Sequence, residues 1–199
     1  MRDPTDDAPT YPSAPCPIPF VPARHFTVGR IAPGAVTLIV LHTMEAAEKP
    51  STAELVAAWF GGAAAPRASA HYCVDSDTIV QCVREDDTAW HAPGANHNGI
   101  GIEHAGYARQ TAEQWADPYS ERMLRLSARL SAEVCARHEI PIAFVDVAGL
   151  RGGKSGITTH HAVSLAFRKS THTDPGEAFP VGWYLYLVRR FAAGLGPAV

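Results

Sequence analysis

The segment Val-Thr-Leu-Ile-Val-Leu-His-Thr, residues 36–43, constrains the fold more than any other part of the chain. It is apolar and rich in β-branched residues, without the polar alternation of a half-exposed strand, so it reads as a strand buried on both faces. Such a strand needs cover above and below, and the rest of the chain supplies it. STAELVAAWFGG, residues 51–62, reads as a helix. Ser51 and Glu54 are spaced as a capping box, Leu55, Val56, Trp59 and Phe60 form an apolar stripe, and Gly61-Gly62 stops the helix. SAHYCV and TIVQCV flank Asp75-Ser76-Asp77 as a hairpin, and GIGIEHAG is a further short strand. A long helix runs from Asp117-Pro118 to about His138, with Met123, Leu126, Leu130 and Val134 facing inward, and Ile140-Pro141 ends it. IAFVDVAG is a candidate short strand, and a last helix near residues 181–193 presents Trp183, Leu187 and Phe191. The expected class is α/β, a mixed central β-sheet flanked by α-helices.

Residues 1–24 contain seven prolines, which excludes helix and central strand. They are expected to form an extended arm or linker, with Ile18, Phe20 and Val21 lying across the domain and residues 1–12 mobile. Residues 25–199 are enough for one well-cored domain. A net charge of -3 gives no electrostatic footprint for nucleic acid, and no 18-residue apolar run is present to span a bilayer. Asp3, Asp6 and Asp7 stand where a secretory signal would need an apolar stretch, so no Sec-type signal is expected. Of Cys16, Cys73, Cys82 and Cys135, only Cys73 and Cys82 fall on paired strands where a bridge could form. Four free, mostly buried thiols is the plainer expectation.

The chemistry gathers in a few places. His42 ends the buried strand, held on a rigid element and aimed at the sheet's edge. GITTHHAVSLAFRKSTHTDPGEAFP, residues 156–180, adds His160, His161, His172 and Asp174 among turn-forming residues. Catalytic zinc sites use three protein ligands, often two imidazoles and a carboxylate. His42, one of His160 and His161, and Asp174 satisfy that count. Read as an extended segment, Thr-Thr-His-His would point its two histidines to opposite sides, so one alone would face a metal. Pro175 and Gly176 fix a sharp turn after Asp174. Glu103 lies between Ile102 and His104 on an apolar strand, where a carboxylate is rare unless paired or functional. DDTAWHAPGANHN carries Trp90, His91, Asn96 and Asn98 in a loop suited to lining a groove. Trp90, His91 and Asn98, with His71 of the hairpin, are the expected substrate-binding residues. His97 and His138 read as ordinary surface or turn histidines.

In order, LIVLHTMEA, ASAHYCVDSDTIVQCV, DDTAWHA, NHNGIGIEHAG, GITTHH and HTDPGEAFP resemble the zinc-dependent N-acetylmuramoyl-L-alanine amidases of the amidase-2 type. That group shares its fold with bacteriophage lysozyme-amidases and peptidoglycan recognition proteins. The likeness spans about residues 36–188, and PCPIPFVPARHFTVGR and HTMEAAEKPSTAELVAAWF look most like endolysins of phages that infect actinobacteria. The resemblance implies one Zn2+ held by His42, His160 and Asp174, with Glu103 as the catalytic glutamate, and makes residues 25–199 a zinc amidase domain. It implies cleavage of the amide between the lactyl group of N-acetylmuramic acid and L-alanine of the stem peptide. Peptidoglycan is then the partner, with no nucleic acid and no membrane insertion, and the chain acts as a monomer. A phage enzyme of this kind would stay in the host cytoplasm until a holin-type release. Two departures stand out: His172 occupies the place where some members have a lysine, and Ala70 the place of a tyrosine in phage lysozyme-type members. His172 is expected to stabilise the oxyanion in that lysine's stead. The rival readings are a non-catalytic peptidoglycan-binding module and a zinc peptidase acting within the stem peptide.

Overall fold

The computed structural model describes residues 17–30 and 36–195. In chain order the elements are β1 (Phe26–Thr27), β2 (Leu38–Thr43), α1 (Thr52–Gly61), β3 (Tyr72–Val74), β4 (Ile79–Gln81), β5 (Thr88–Ala89), β6 (Gly99–His104), α2 (Ala112–Trp115), α3 (Pro118–His138), α4 (Val147–Arg151), β7 (Gly156–Thr159), α5 (His160–Phe167) and α6 (Val181–Ala192). Five strands form one sheet in the order β4-β3-β6-β2-β7, and β1 pairs separately with β5. Within the large sheet β3, β6, β2 and β7 are mutually parallel and β4 runs antiparallel to β3. The class is the mixed, helix-flanked sheet expected.

β2 is buried at every position, as its composition requires. Its side chains alternate between two cores. Ile39 and Leu41 pack with residues of α3 and α6, whereas Leu38 and Val40 pack with residues of α4 and α5. His42 follows on the second of these faces. α3 begins at Asp117, whose carboxylate accepts from the Ser120 N–H, has Pro118 in its first turn, and buries Met123, Leu130 and Val134. Behind the sheet a buried polar chain crosses this core: His104 Nδ1 lies 2.8 Å from the His42 carbonyl, His104 Nε2 2.7 Å from Ser127 Oγ, and Tyr184 Oη 2.7 Å from both Ser127 Oγ and Ser131 Oγ.

Several local expectations give way. Ser51 makes no side-chain capping bond. Asp75 of the β3–β4 turn takes over, its Oδ2 accepting from the Ala53 N–H at 2.9 Å. α1 buries Ala53, Ala57 and Phe60, while Leu55 and Trp59 are exposed at 63% and 55%. The small alanines let the helix lie close on the sheet, and the larger apolar side chains turn outward. IAFVDVAG is not a strand: Phe144 makes an isolated bridge to Ile157, and Val147 already begins α4. Trp183 is half exposed, and Tyr184 takes the inward position on α6 with Leu187 and Val188.

The arm's described part, from residue 17, runs along the outer edge of β4. Gln81 donates to the Pro19 carbonyl, Val21 donates to that of Gln81, and Ala23 donates to that of Cys82. This satisfies an edge that would otherwise be open to another chain. Ile18 and Val21 pack onto the core, while Phe20 lies exposed under Arg84. The expectations for residues 1–12 and for Cys16 lie outside the described residues. Cys73 and Cys82 are free thiols with their sulfurs 3.8 Å apart. No helix among the described residues is long and apolar enough to cross a membrane.

Candidate active site

The carboxyl ends of three adjacent parallel strands converge on one place, the usual location of sites in open α/β sheets. β2 contributes His42 and β6 contributes Glu103, which are register partners and so present their side chains on the same face. β7 leads directly into α5, whose first residue is His160. The extended Thr-Thr-His-His expectation is therefore corrected. Thr159 caps the helix, its side chain accepting from the Ala162 N–H, and the two histidines diverge because they occupy successive positions of a helical turn. His160 is buried and faces the sheet. His161 turns aside and uses its backbone N–H to hold the Asp174 carbonyl at 2.9 Å.

That bond and the turn closed by Gly176 on the Thr173 carbonyl bring Asp174 against both histidines. Its Oδ2 lies 3.0 Å from His42 Nδ1 and its Oδ1 3.1 Å from His160 Nδ1. All three residues are buried, and one ligand atom from each lies within 4.8 Å of the others. Two imidazoles and one carboxylate at that spacing fit a single zinc ion, whose bonds to such atoms are about 2.0–2.2 Å. The carboxylate keeps its charge. Burial alone would raise the Asp174 pKa, but the hydrogen bonds and charges of His160 and His42 hold it far below the ordinary range. Burial also drives His42 down to about 4, so it stays neutral and able to ligate near neutral pH.

Glu103 lines the same groove. Its Oε2 is buried with no hydrogen-bond partner, which in a folded protein calls for an explanation. Burial first, and then the Asp174 carboxylate, push its pKa well above that of an ordinary glutamate. A carboxyl shifted upward, with one oxygen committed to no protein partner, is suited to taking up and returning a proton.

The groove is about 580 Å³ in volume. His172 stands at its rim, 63% exposed, stacked on His160 at 4.3 Å between ring centroids, with Nδ1 3.4 Å from Asp174 Oδ1. Trp90 forms part of the wall, its Nε1 donating to Thr27 Oγ1 at 3.0 Å. His91 reaches the groove floor, with Nδ1 3.0 Å from His42 Nε2. The two other expected substrate residues do not reach it. Asn98 precedes β6 at the opposite end of the sheet, where its side chain donates to Thr37 Oγ1. His71 is fully buried behind His91, its Nδ1 accepting from the Gly101 N–H. Conversely, Trp59, expected inside the fold, and Arg67, which no sequence motif marks, both line the groove. A large aromatic on a helix whose other face carries two alanines was the available signal.

This fold and this cluster define a class. The N-acetylmuramoyl-L-alanine amidase family (Amidase_2) matches residues 32–177. N-acetylmuramoyl-L-alanine amidase A of Achromobacter lyticus is 33% identical over 168 residues, 79% of this chain and 85% of that protein. The chain belongs to the amidase-2 family of N-acetylmuramoyl-L-alanine amidases. Among solved structures, Staphylococcus aureus hydrolase AmiA in complex with its ligand superposes with a TM-score of 0.67 at 17% identity, covering 93% of this chain and 89% of that one. A mutant endolysin from Bacillus subtilis gives 0.54 at 18% identity, covering 90% and 98%. These two share the fold.

Proposed function

We propose that the protein is a zinc-dependent peptidoglycan hydrolase that cuts the amide between the lactyl group of N-acetylmuramic acid and L-alanine of the stem peptide. The observation that carries this reading is the buried, unpartnered Oε2 of Glu103 in the groove shared with the His42–His160–Asp174 cluster. Family membership and the name of the Achromobacter relative support the bond and the substrate. His42, His160 and Asp174 would hold the ion. Bound zinc supplies two things, acidification of a water and polarisation of a carbonyl. Glu103 takes a proton from the attacking water and returns it to the alanine nitrogen as the amide breaks. His172, at the open rim, donates an N–H to the carbonyl oxygen as charge develops there. Trp90 offers a flat apolar wall to the substrate.

The likeness of the arm and α1 regions to endolysins of actinobacteriophages supports a phage lysis enzyme. In that role it acts as a monomer, takes no nucleic acid, and waits in the host cytoplasm for release to the wall. A digest of purified peptidoglycan tests the reaction. A new amino-terminal alanine paired with free lactyl carboxyls is the expected result, abolished by chelation and restored by Zn2+. A different new amino terminus would make the protein a peptidase. No release at all would make it a binding module.

A further inference from the structure

The groove-lining role expected of His91 leaves its geometry unexplained. The side chain is 7% exposed, and its ring meets that of His42 nearly at right angles, at 86°. His91 Nδ1 lies 3.0 Å from His42 Nε2, and His91 Nε2 lies 3.4 Å from the Gly99 carbonyl. A carbonyl can only accept, so the proton of a neutral His91 belongs on Nε2 and Nδ1 is left as an acceptor. The opposite tautomer would set a lone pair against the Gly99 oxygen. His42 Nε2 then donates to His91, and His42 Nδ1, 3.0 Å from Asp174 Oδ2, is left to turn its lone pair toward a cation held between it and Asp174 in place of the direct hydrogen bond. We infer that His91 is a positioning residue for the metal centre: it fixes the tautomer and ring orientation of His42 so that Nδ1 is the ligating nitrogen.

The surroundings are built to hold that ring. On the face of β6 beneath it the positions run Gly99, Gly101, Glu103. A Cβ at Gly101 would come within 2.6 Å of His91 Cγ, and one at Gly99 within 3.2 Å of Cε1. The two glycines clear a slot that any other residue would fill. Asn96 Oδ1 accepts from the backbone N–H groups of His91 and Ala92 at 3.1 and 2.6 Å, and the His71 ring abuts from behind at 5.6 Å. Partners that orient a ligating histidine typically change metal affinity about 10–100-fold when removed.

This inference rests on the metal site of the proposed function, and the test keeps the two apart. Zinc affinity is measured by competition with a chromogenic chelator for the unaltered protein and for His91→Ala, His91→Asn and His91→Gln, alongside the visible spectrum of the Co2+-loaded forms. Asn carries an acceptor oxygen where His carries Nδ1, whereas the Gln amide falls at the Nε2 position. His91→Ala and His91→Gln should bind zinc about 10–100-fold more weakly with altered Co2+ bands, and His91→Asn should recover most of the affinity and the spectrum. Unchanged affinity in His91→Ala, or equal losses in the Asn and Gln variants, would overturn the positioning role. If the unaltered protein takes up no stoichiometric zinc, the metal site itself falls.

Discussion

Glu103, one residue before the end of an apolar strand, has one carboxylate oxygen buried and unpartnered. Burial and the Asp174 charge hold its pKa high, a combination that costs stability and is typical of functional sites. Glu103→Gln should retain stoichiometric zinc and lose about 10²–10⁴-fold in hydrolysis rate, the usual scale of general acid–base help. A variant with nearly full activity would remove Glu103 from the mechanism. The neighbouring histidines separate as cleanly. His160→Ala should lose zinc by elemental analysis, whereas His161→Ala should keep it, because His161 contributes a backbone N–H to Asp174 rather than its ring. Both residues are visible in the sequence as Thr-Thr-His-His. Which one turns inward depends on Thr159 starting a helix, and turn-forming neighbours gave no sign of that.

Among the elements, α1 shows how a correct helix can carry the wrong face. Its apolar residues make two overlapping stripes, and size favoured Leu55, Val56 and Trp59 over Ala53 and Ala57. Close approach of helix to sheet selected the small residues and left Trp59 for the groove wall. The cap is likewise supplied not by the adjacent Ser51 but by Asp75, which follows α1 in the chain and folds back onto its amino terminus. Asp75 Oδ1 also accepts from the Thr78 N–H at 2.9 Å, so the one carboxylate ties helix and hairpin together. Asp75→Ala should therefore cost at least the upper part of the usual capping range of about 0.5–2 kcal/mol in urea unfolding. Ser51→Ala should fall within about 0.5 kcal/mol of the unaltered protein. Equal effects would mean that Asp75 is not the cap. By contrast, β2, the hairpin, β6 and α3 were legible because their signals are local: an unbroken apolar run, a turn of acidic and small residues, and Asp-Pro opening a long amphipathic stretch.

For the whole molecule, pH exposes how polar groups are built into the fold. Burial works against the Glu85 charge, but hydrogen bonds from Arg137, Tyr72 and His138 outweigh it and take its pKa from 4.5 to about 2. A folded pKa below the unfolded one contributes stability above pH 4.5 that is lost as pH falls toward about 2. Burial takes His104 from 6.5 down to about 4, so its contribution is full above pH 6.5 and fades toward pH 4. The thermal midpoint should thus decline below pH 6.5 and more steeply below pH 4.5, and Glu85→Gln should flatten the lower limb relative to the unaltered protein. Identical lower limbs would show that Glu85 does not carry it. By itself the sequence determined the fold class, the main strands and long helix, and the residue types from which a zinc site could be assembled, since periodicity, capping and donor chemistry are written in neighbouring residues. Tertiary structure decided the rest. Only the parallel register of β2 with β6 sets Glu103 beside His42, only α5 turns His160 inward, and only Gly99 and Gly101 of a different strand leave room for His91 to meet His42. Those placements depend on contacts between segments far apart in the chain, and no local pattern encodes them.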